Sequence, residues 1–525
     1  MIGSLLLAVT IVAHEPGYVT SLANHIRRWL AAENVAARVV TPQQMPSALA
    51  NERLAFLVGF ASPTTAEMKA LRSFRSRGGK LVVFHSASPA LAELMGVKPI
   101  GYRAAGYPGE WSRMCFSTGV PAGLPTSILQ TSTVLQRAQP IKGRGRVLAT
   151  WADRSGKSTG EPAWIVTDAG YWMTHVLLAD GEETRKQQLL GAIVGSVDPK
   201  LWSIAAHNAR LSAQAAATKQ FAAKQAPRPG EIHATWEHSG CGLYPGNWTK
   251  TIQVLREAHV TDLFVNVAGA GFAHYPSAIL PQSKTCLQDG DQLLSCLTAA
   301  KGSGIRVHAW LLCFSATRAS PATLETFRKR GWRLKDRSGK LTEYIDPSNP
   351  AVRAHLLSAI DEIQAKYPVS GIHLDFVRWG DSAVKPKDAA ESVSRFVVEA
   401  RRHVQRPRWL TTAVYGRYPN CIATVGQDWY GWLDMGVVDY VVPMDYTESQ
   451  AVLADLLARH AAVRSHARRT IVGIGVTANE ARLNARQVIE QINLVRSYGL
   501  AGESLFDLDT TLEREILPYL RMAIW

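Results

Sequence analysis

"GIHLDFVRWG", residues 371–380, sets His373, Asp375 and Arg378 into an otherwise apolar run. Residues two apart on a strand share a face, so His373 and Asp375 point one way while Ile372, Leu374 and Phe376 point the other. One side apolar and the other carrying an imidazole and a carboxylate suits a barrel strand. Its outer face packs on helices and its inner face lines the lumen near the mouth. An unpaired carboxylate there would be costly. The polar end of the strand therefore either serves chemistry or is satisfied within a His–Asp–Arg plug.

Working outward, seven more strand candidates surround it: 231–237, 262–268, 305–312, 409–415, 438–446, 470–476 and 502–508. Amphipathic stretches such as "NWTKTIQVLREAH" and "NARQVIEQINLVRSY" lie between them. Eight strand–helix units over residues 231–525 fit a (β/α)8 TIM barrel, whose working residues sit at strand C-terminal ends. Residues 1–202 also alternate apolar strands and amphipathic helices, which predicts a doubly wound, flavodoxin-like parallel-sheet domain. Its strand ends carry His14, Glu15, His85 and Ser86. Between the two, residues 203–230 contain ten alanines and no acid, and "PRPG" closes them, so a helical linker is expected.

The 58 Lys and Arg against 43 Asp and Glu leave a net charge of +15. The excess clusters in "ARRHVQRPRW" (400–409) and "RHAAVRSHARRT" (459–470), which read as helix C-terminal turns rather than a nucleic-acid surface. The charge also suits an anionic polymer or envelope. The apolar start "MIGSLLLAVTIVA" is too short to span a bilayer and lacks a basic n-region, so it reads as a first buried strand. Six cysteines show no metal spacing, although Cys286 and Cys296 are close enough for a small-loop disulfide. No cofactor motif and no metal-spaced histidine cluster is present, so no cofactor and no metal are expected.

Strand three repeats the pattern of strand four. "VHAWLLCF" puts His308 and Trp310 on one face, and an aromatic beside polar groups at a barrel mouth suits a sugar; the alternative is a core tryptophan. Glycoside hydrolysis usually takes two carboxyl groups. Asp375 is one. For the second, Asp445 at the end of strand six stands first, although strict alternation would turn it outward. Asp507 at the end of strand eight and Glu237 at the end of strand one follow, and Glu503 shares the face of Asp507 at the wrong end of its strand. Arg378, Trp379, Tyr415 and Tyr446 complete the expected substrate contacts with His308, Trp310, His373, Glu237 and Asp507. An Arg378 paired with Asp375 would favour an ionised base over an acid.

"RVHAWLLCF", "YIDPSNPAVRAHLLSAIDEIQAKYPVSGIHLDFVRW" and "FAHYPSAILPQS" resemble the family 10-like glycoside hydrolases of bacteria, in order along residues 231–520. The resemblance implies a hydrolytic barrel acting on a bacterial or other complex polysaccharide, with the strand-four aspartate in the site and a secreted or periplasmic setting. True family 10 xylanases carry glutamates after strands four and seven. Here Asp375 stands at the first place, and strand seven runs into "GIGVTANE", where Glu480 reads as opening a helix. Family 18 chitinases need a glutamate where Val377 stands. "RGGKLVVFHSAS" (77–88) resembles the ThuA-like branch of the glutamine-amidotransferase-like fold, without its catalytic cysteine. That implies an accessory first domain, open to a role in homo-oligomers. The rival reading of the barrel is a carbohydrate-binding protein without catalysis.

Overall fold

The eight strand segments close into one all-parallel barrel in the computed structural model, which describes residues 9–107, 109–117, 121–153, 155–178 and 182–525. The strands are Ile232–Glu237, Asp262–Gly269, Arg306–Leu312, Gly371–Asp375, Trp409–Val414, Tyr440–Pro443, Ile471–Gly475 and Gly502–Phe506. They are numbered one to eight below. Each pairs with its neighbours in sequence, and strand eight pairs with strand one. Between strands six and seven the wall closes through the single bridges Val441–Thr470 and Met444–Gly473.

Two shells of side chains follow from period-two alternation. Outward residues such as Leu263, Val265, Ile372 and Leu374 meet the helices in one large core. Inward residues Ile232, Ala234, Trp236, Phe264, Trp310, Val442 and Ile471 fill the lumen. Gly371 opens strand four because a Cβ there would lie 2.6 Å from His308 Nδ1 and 2.5 Å from the Trp409 carbonyl oxygen.

The chain divides into two compact units, Met1–Ala215 and Ala216–Trp525. In the first, four parallel strands, Ala37–Val40, Val9–Ala13, Leu54–Val58 and Lys80–Phe84, lie side by side in that order. Residues 1–8 of the apolar start lie outside the described residues. Helix Tyr18–Ala32 packs on one face of the sheet and Thr65–Ser76 on the other, which is double winding. Beyond Lys80–Phe84 the sheet continues with Gly170–Met173 and then antiparallel strands built from residues 111–167. The sequence reading did not separate this half. Among its described residues there is no helix to force crossovers, so hairpins extend the sheet instead.

Helix Ile204–Ala222 contains the division between the units. Within the first unit, buried Glu33 accepts from Trp202 Nε1 (2.5 Å) and Arg210 (2.5 Å), and His207 Nδ1 lies 2.9 Å away. Within the second, Ala222 is part of the barrel core. All six cysteines are free, so Cys286 and Cys296 form no disulfide. Among the described residues no helix is long and apolar enough to cross a membrane.

Candidate active site

Strand four ends by turning its backbone onto its own carboxylate. Phe376 adopts φ +48°, a left-handed conformation that a bulky residue holds only where its surroundings impose it. Its N–H donates to Asp375 Oδ1 at 2.5 Å, and Trp310 Nε1 donates to Asp375 Oδ2 at 3.2 Å. Burial pushes the Asp375 carboxyl above its usual range, and Arg378, Phe376 N–H and Trp310 pull against it without prevailing. Arg378 Nη1 stands 3.8 Å from Asp375 Oδ1, too far for a hydrogen bond. Its guanidinium instead lies over the Phe376 ring (3.9 Å) and the Tyr415 ring (4.8 Å), with Nε 3.6 Å from Asp381. The Tyr415 hydroxyl donates to Asp381 at 3.4 Å.

Strand eight runs into a second buried carboxylate. Asp507 Oδ1 accepts from the Thr477 hydroxyl at 2.8 Å, and burial raises its pKa. Two residues on, Asp509 is pushed up to about 7, first by burial and then by the Asp507 charge. His238 follows directly on strand one. Its ring lies 5.7 Å from Trp310 and 6.0 Å from Phe506. Crowding by these groups lowers its pKa, while Asp507 and Asp375 both pull it up. Tyr446 stacks on Phe506 at 5.3 Å, and its hydroxyl is held well above the usual range by burial, then by Asp375 and Asp507. Asp375, Asp507, His238 and Tyr446 thus share one mouth.

Several expected contacts lie elsewhere. Asp445 does not enter the lumen: its Oδ2 meets His460 Nε2 at 2.8 Å, on the outer helix Gln450–His460. A Cβ on Gly416 would sit 1.6 Å from Asp445 Oδ1, so that glycine makes room for an outward carboxylate. Strict alternation holds at this strand end. Glu237 is spent on its own loop, accepting from the backbone N–H groups of Ser239 (3.1 Å), Gly240 (2.7 Å) and Gly242 (3.2 Å).

His373 sits one layer below the mouth. Trp236 Nε1 donates to its Nε2 at 2.9 Å, so its Nδ1 carries the proton and donates to Thr411 Oγ1 at 2.8 Å. Burial holds the ring well below the usual histidine range, hence neutral. His308 lies a layer deeper, its Nε2 2.8 Å from Asp262 Oδ1, and no substrate reaches a side chain with zero exposure. Trp310 is 3% exposed and holds Asp375 rather than offering a stacking face. Trp379 is core beneath its loop, packed with Leu334 and Ala389 and donating to the Val384 carbonyl. Glu503 is buried at the far end of the barrel against His233 (2.9 Å). Glu480 lies in a turn, since the next helix, Ala485–Ser497, is capped by Asn484 and Gln487.

The sequence reading missed His238, Asp381, Asp509 and Arg318. Arg318 Nη1 donates to Asn266 Oδ1 at 3.2 Å, and its guanidinium lies over the Phe272 ring (4.5 Å). The one available signal was position: His238 and Asp509 directly follow strand C-termini. In the first unit, His14 meets Glu67 at 3.3 Å, His85 holds φ +47° against His175 (5.4 Å), and the Ser86 hydroxyl donates to the Phe60 carbonyl at 2.5 Å. Glu15 is exposed.

The segment 243–390, holding strands two to four and Asp375, matches the family described as glycosyl hydrolase-like 10. No curated protein matches the chain. Among solved structures, an alpha-L-fucosidase isoenzyme from Paenibacillus thiaminolyticus is 12% identical over 56% of this chain, with a TM-score of 0.40. This chain spans about half of that protein, 48%. An endo-1,4-beta-mannanase from Rhizomucor miehei is 9% identical, covering 53% of this chain and 87% of its own, at 0.40. A ThuA-like protein from Bacteroides uniformis is 14% identical, covering 38% of this chain and 93% of its own, at 0.30. The barrel is thus glycosyl-hydrolase-like by its matched segment. The solved structures are too distant to bear on its chemistry.

Proposed function

We propose that the barrel is a glycoside hydrolase of a bacterial or other complex polysaccharide, with Asp375 and Asp507 as its carboxyl pair. The observation that carries this reading is His238, whose ring lies 5.7 Å from Trp310, the donor to Asp375, and 6.0 Å from Phe506, the residue before Asp507. The environments of the two carboxyls differ in a useful way. Burial raises Asp375, but Arg378 beside it and the donors Phe376 N–H and Trp310 offset part of that rise, which suits it to the base or nucleophile role. Burial raises Asp507 as well, and the Asp507 charge helps push neighbouring Asp509 up to about 7, so this pair keeps a proton to give to the leaving oxygen. Tyr415, Tyr446 and Arg378 line the opening for sugar hydroxyls and ring faces. A polysaccharide of this kind favours a secreted or periplasmic setting, with the first unit accessory.

The test is hydrolysis of a glycan panel with product analysis, using Asp375→Asn and Asp507→Asn. An acid is dispensable when the leaving group is an activated phenol. Asp507→Asn therefore retains activity on aryl glycosides and loses it on natural glycans, while Asp375→Asn loses both. Equal losses on both substrates would reverse or remove the assignment. A second reading, a barrel that binds glycan without cleaving it, is favoured by the commitment of Asp445 and Glu237 to structure. Saturable binding without any product would select it.

A further inference from the structure

The N-terminal end of the barrel, opposite the mouth, holds a concavity of about 350 Å3. The first residues of strands three, five and six and residues just before strands one, seven and eight line it, among them Arg228, Glu231, Arg306, Trp409, Tyr440 and Arg468. This end of a barrel ordinarily serves stability, and part of the lining does so. Arg306 is paired with Asp262 (2.6 Å), and Glu231 with Arg496 (2.5 Å). Two cations remain. Both are exposed; Arg228 donates to the Arg496 backbone carbonyl at 2.8 Å, and among the described residues neither Arg228 nor Arg468 has a carboxylate partner. The Trp409 and Tyr440 rings, 4.6 Å apart, form a wall beside them, with Arg306 over Trp409 at 4.4 Å.

Guanidinium groups gathered around one concavity repel unless an anion joins them. Their planar forks match carboxylate and phosphoryl oxygens two at a time. An aromatic wall adds a face for the body that carries the anion. We propose that this concavity is a second ligand site, taking a carboxylate or phosphoryl oxyanion between Arg228 and Arg468, with its carrier against Trp409 and Tyr440. The oxyanion comes either from a small free molecule or from an acidic sugar of a glycan chain. The site is independent of hydrolysis at the mouth.

The test uses the full chain and two probes, inorganic phosphate and a short uronate oligosaccharide, measured by calorimetry. Arg468→Gln, at an exposed side chain, leaves folding intact. Arg228→Gln/Arg468→Gln removes both forks. The wild type is expected to bind at least one probe saturably, and Arg468→Gln to weaken that binding by about tenfold, the scale of one charge-assisted hydrogen bond. Tighter binding of the oligosaccharide marks a glycan-borne anion, and equal or tighter binding of phosphate marks a free one. Any activity on a neutral glycan stays unchanged in the variants, which separates this site from the mouth. No saturable binding of either probe, or binding that both variants leave intact, overturns the proposal.

Discussion

The floor and the mouth of the barrel each bury an aspartate, and they treat it in opposite ways. At the floor, burial pushes Asp262 up, but hydrogen bonds from His308 and Arg306 and their charges outweigh it and hold the carboxyl at about 2. At the mouth, Asp375 has donors and a cation 3.8 Å away, and burial still wins. Asp509 goes further, to about 7, because its neighbour is another acid. A carboxylate given its counter-charge serves as a brace, while one kept short of it remains able to exchange a proton.

The largest expected effect breaks the comparison at the mouth. Asp375→Asn is expected to lower glycan hydrolysis at least about a hundredfold, the scale of a positioned acid–base group, while the melting temperature holds. Wild-type turnover from a folded mutant would make Asp375 another brace. At the floor, Asp262→Asn strips His308 and Arg306 of their acceptor. It is expected to cost about 2 kcal/mol in denaturant unfolding at neutral pH, with kcat per folded molecule unchanged.

The two ends also have opposite pH signs. The Asp262 contribution is present above the unfolded value of about 4 and is lost as the pH falls through about 2. The Asp509 contribution is present below about 4 and is lost as the pH rises through about 7. Asp509→Asn is therefore expected to raise the melting temperature at pH 8 and leave it unchanged at pH 4. The same shift at both pH values would show that Asp509 stays ionised in the fold.

A smaller change sharpens the account of Asp375. Trp310→Phe keeps the ring and removes the hydrogen bond that favours the carboxylate, so the limb of the kcat/KM pH profile set by Asp375 is expected to move upward. An unmoved limb would leave Trp310 as packing alone. The smallest effect is expected from shortening the chain. Residues 216–525 begin before Ala222, which the barrel core needs, and are expected to fold and cleave a short soluble glycan at the full-length rate. A folded but inactive barrel would place part of the site in the first unit.

Much of this was legible in the chain. The eight strands are readable because parallel strands covered by helices must be apolar on one face and short, and "GIHLDFV" shows that face directly. Alternation also forecast that Asp445 would turn outward, and Gly416 opposite it marks the space it needed. The antiparallel half of the first unit was not legible, because hairpin strands and crossover strands share a period of two.

Sequence by itself determined the barrel and the side of strand four on which His373 and Asp375 lie, and it left four acids open as companions of Asp375. These depend on local period and composition, which a linear chain displays. Only the tertiary structure decided which buried acids lie at the same end of the barrel as Asp375. Asp507 meets the mouth because strand eight pairs with strand one, bringing together residues that lie hundreds of positions apart. Glu237 and His238 are neighbours in the chain, yet one folds back to hold a loop and the other faces the aspartates. Depth in the lumen separated His308, His373 and Asp375 in the same manner. Strand stagger sets that depth, and stagger is a property of the closed sheet rather than of any one strand.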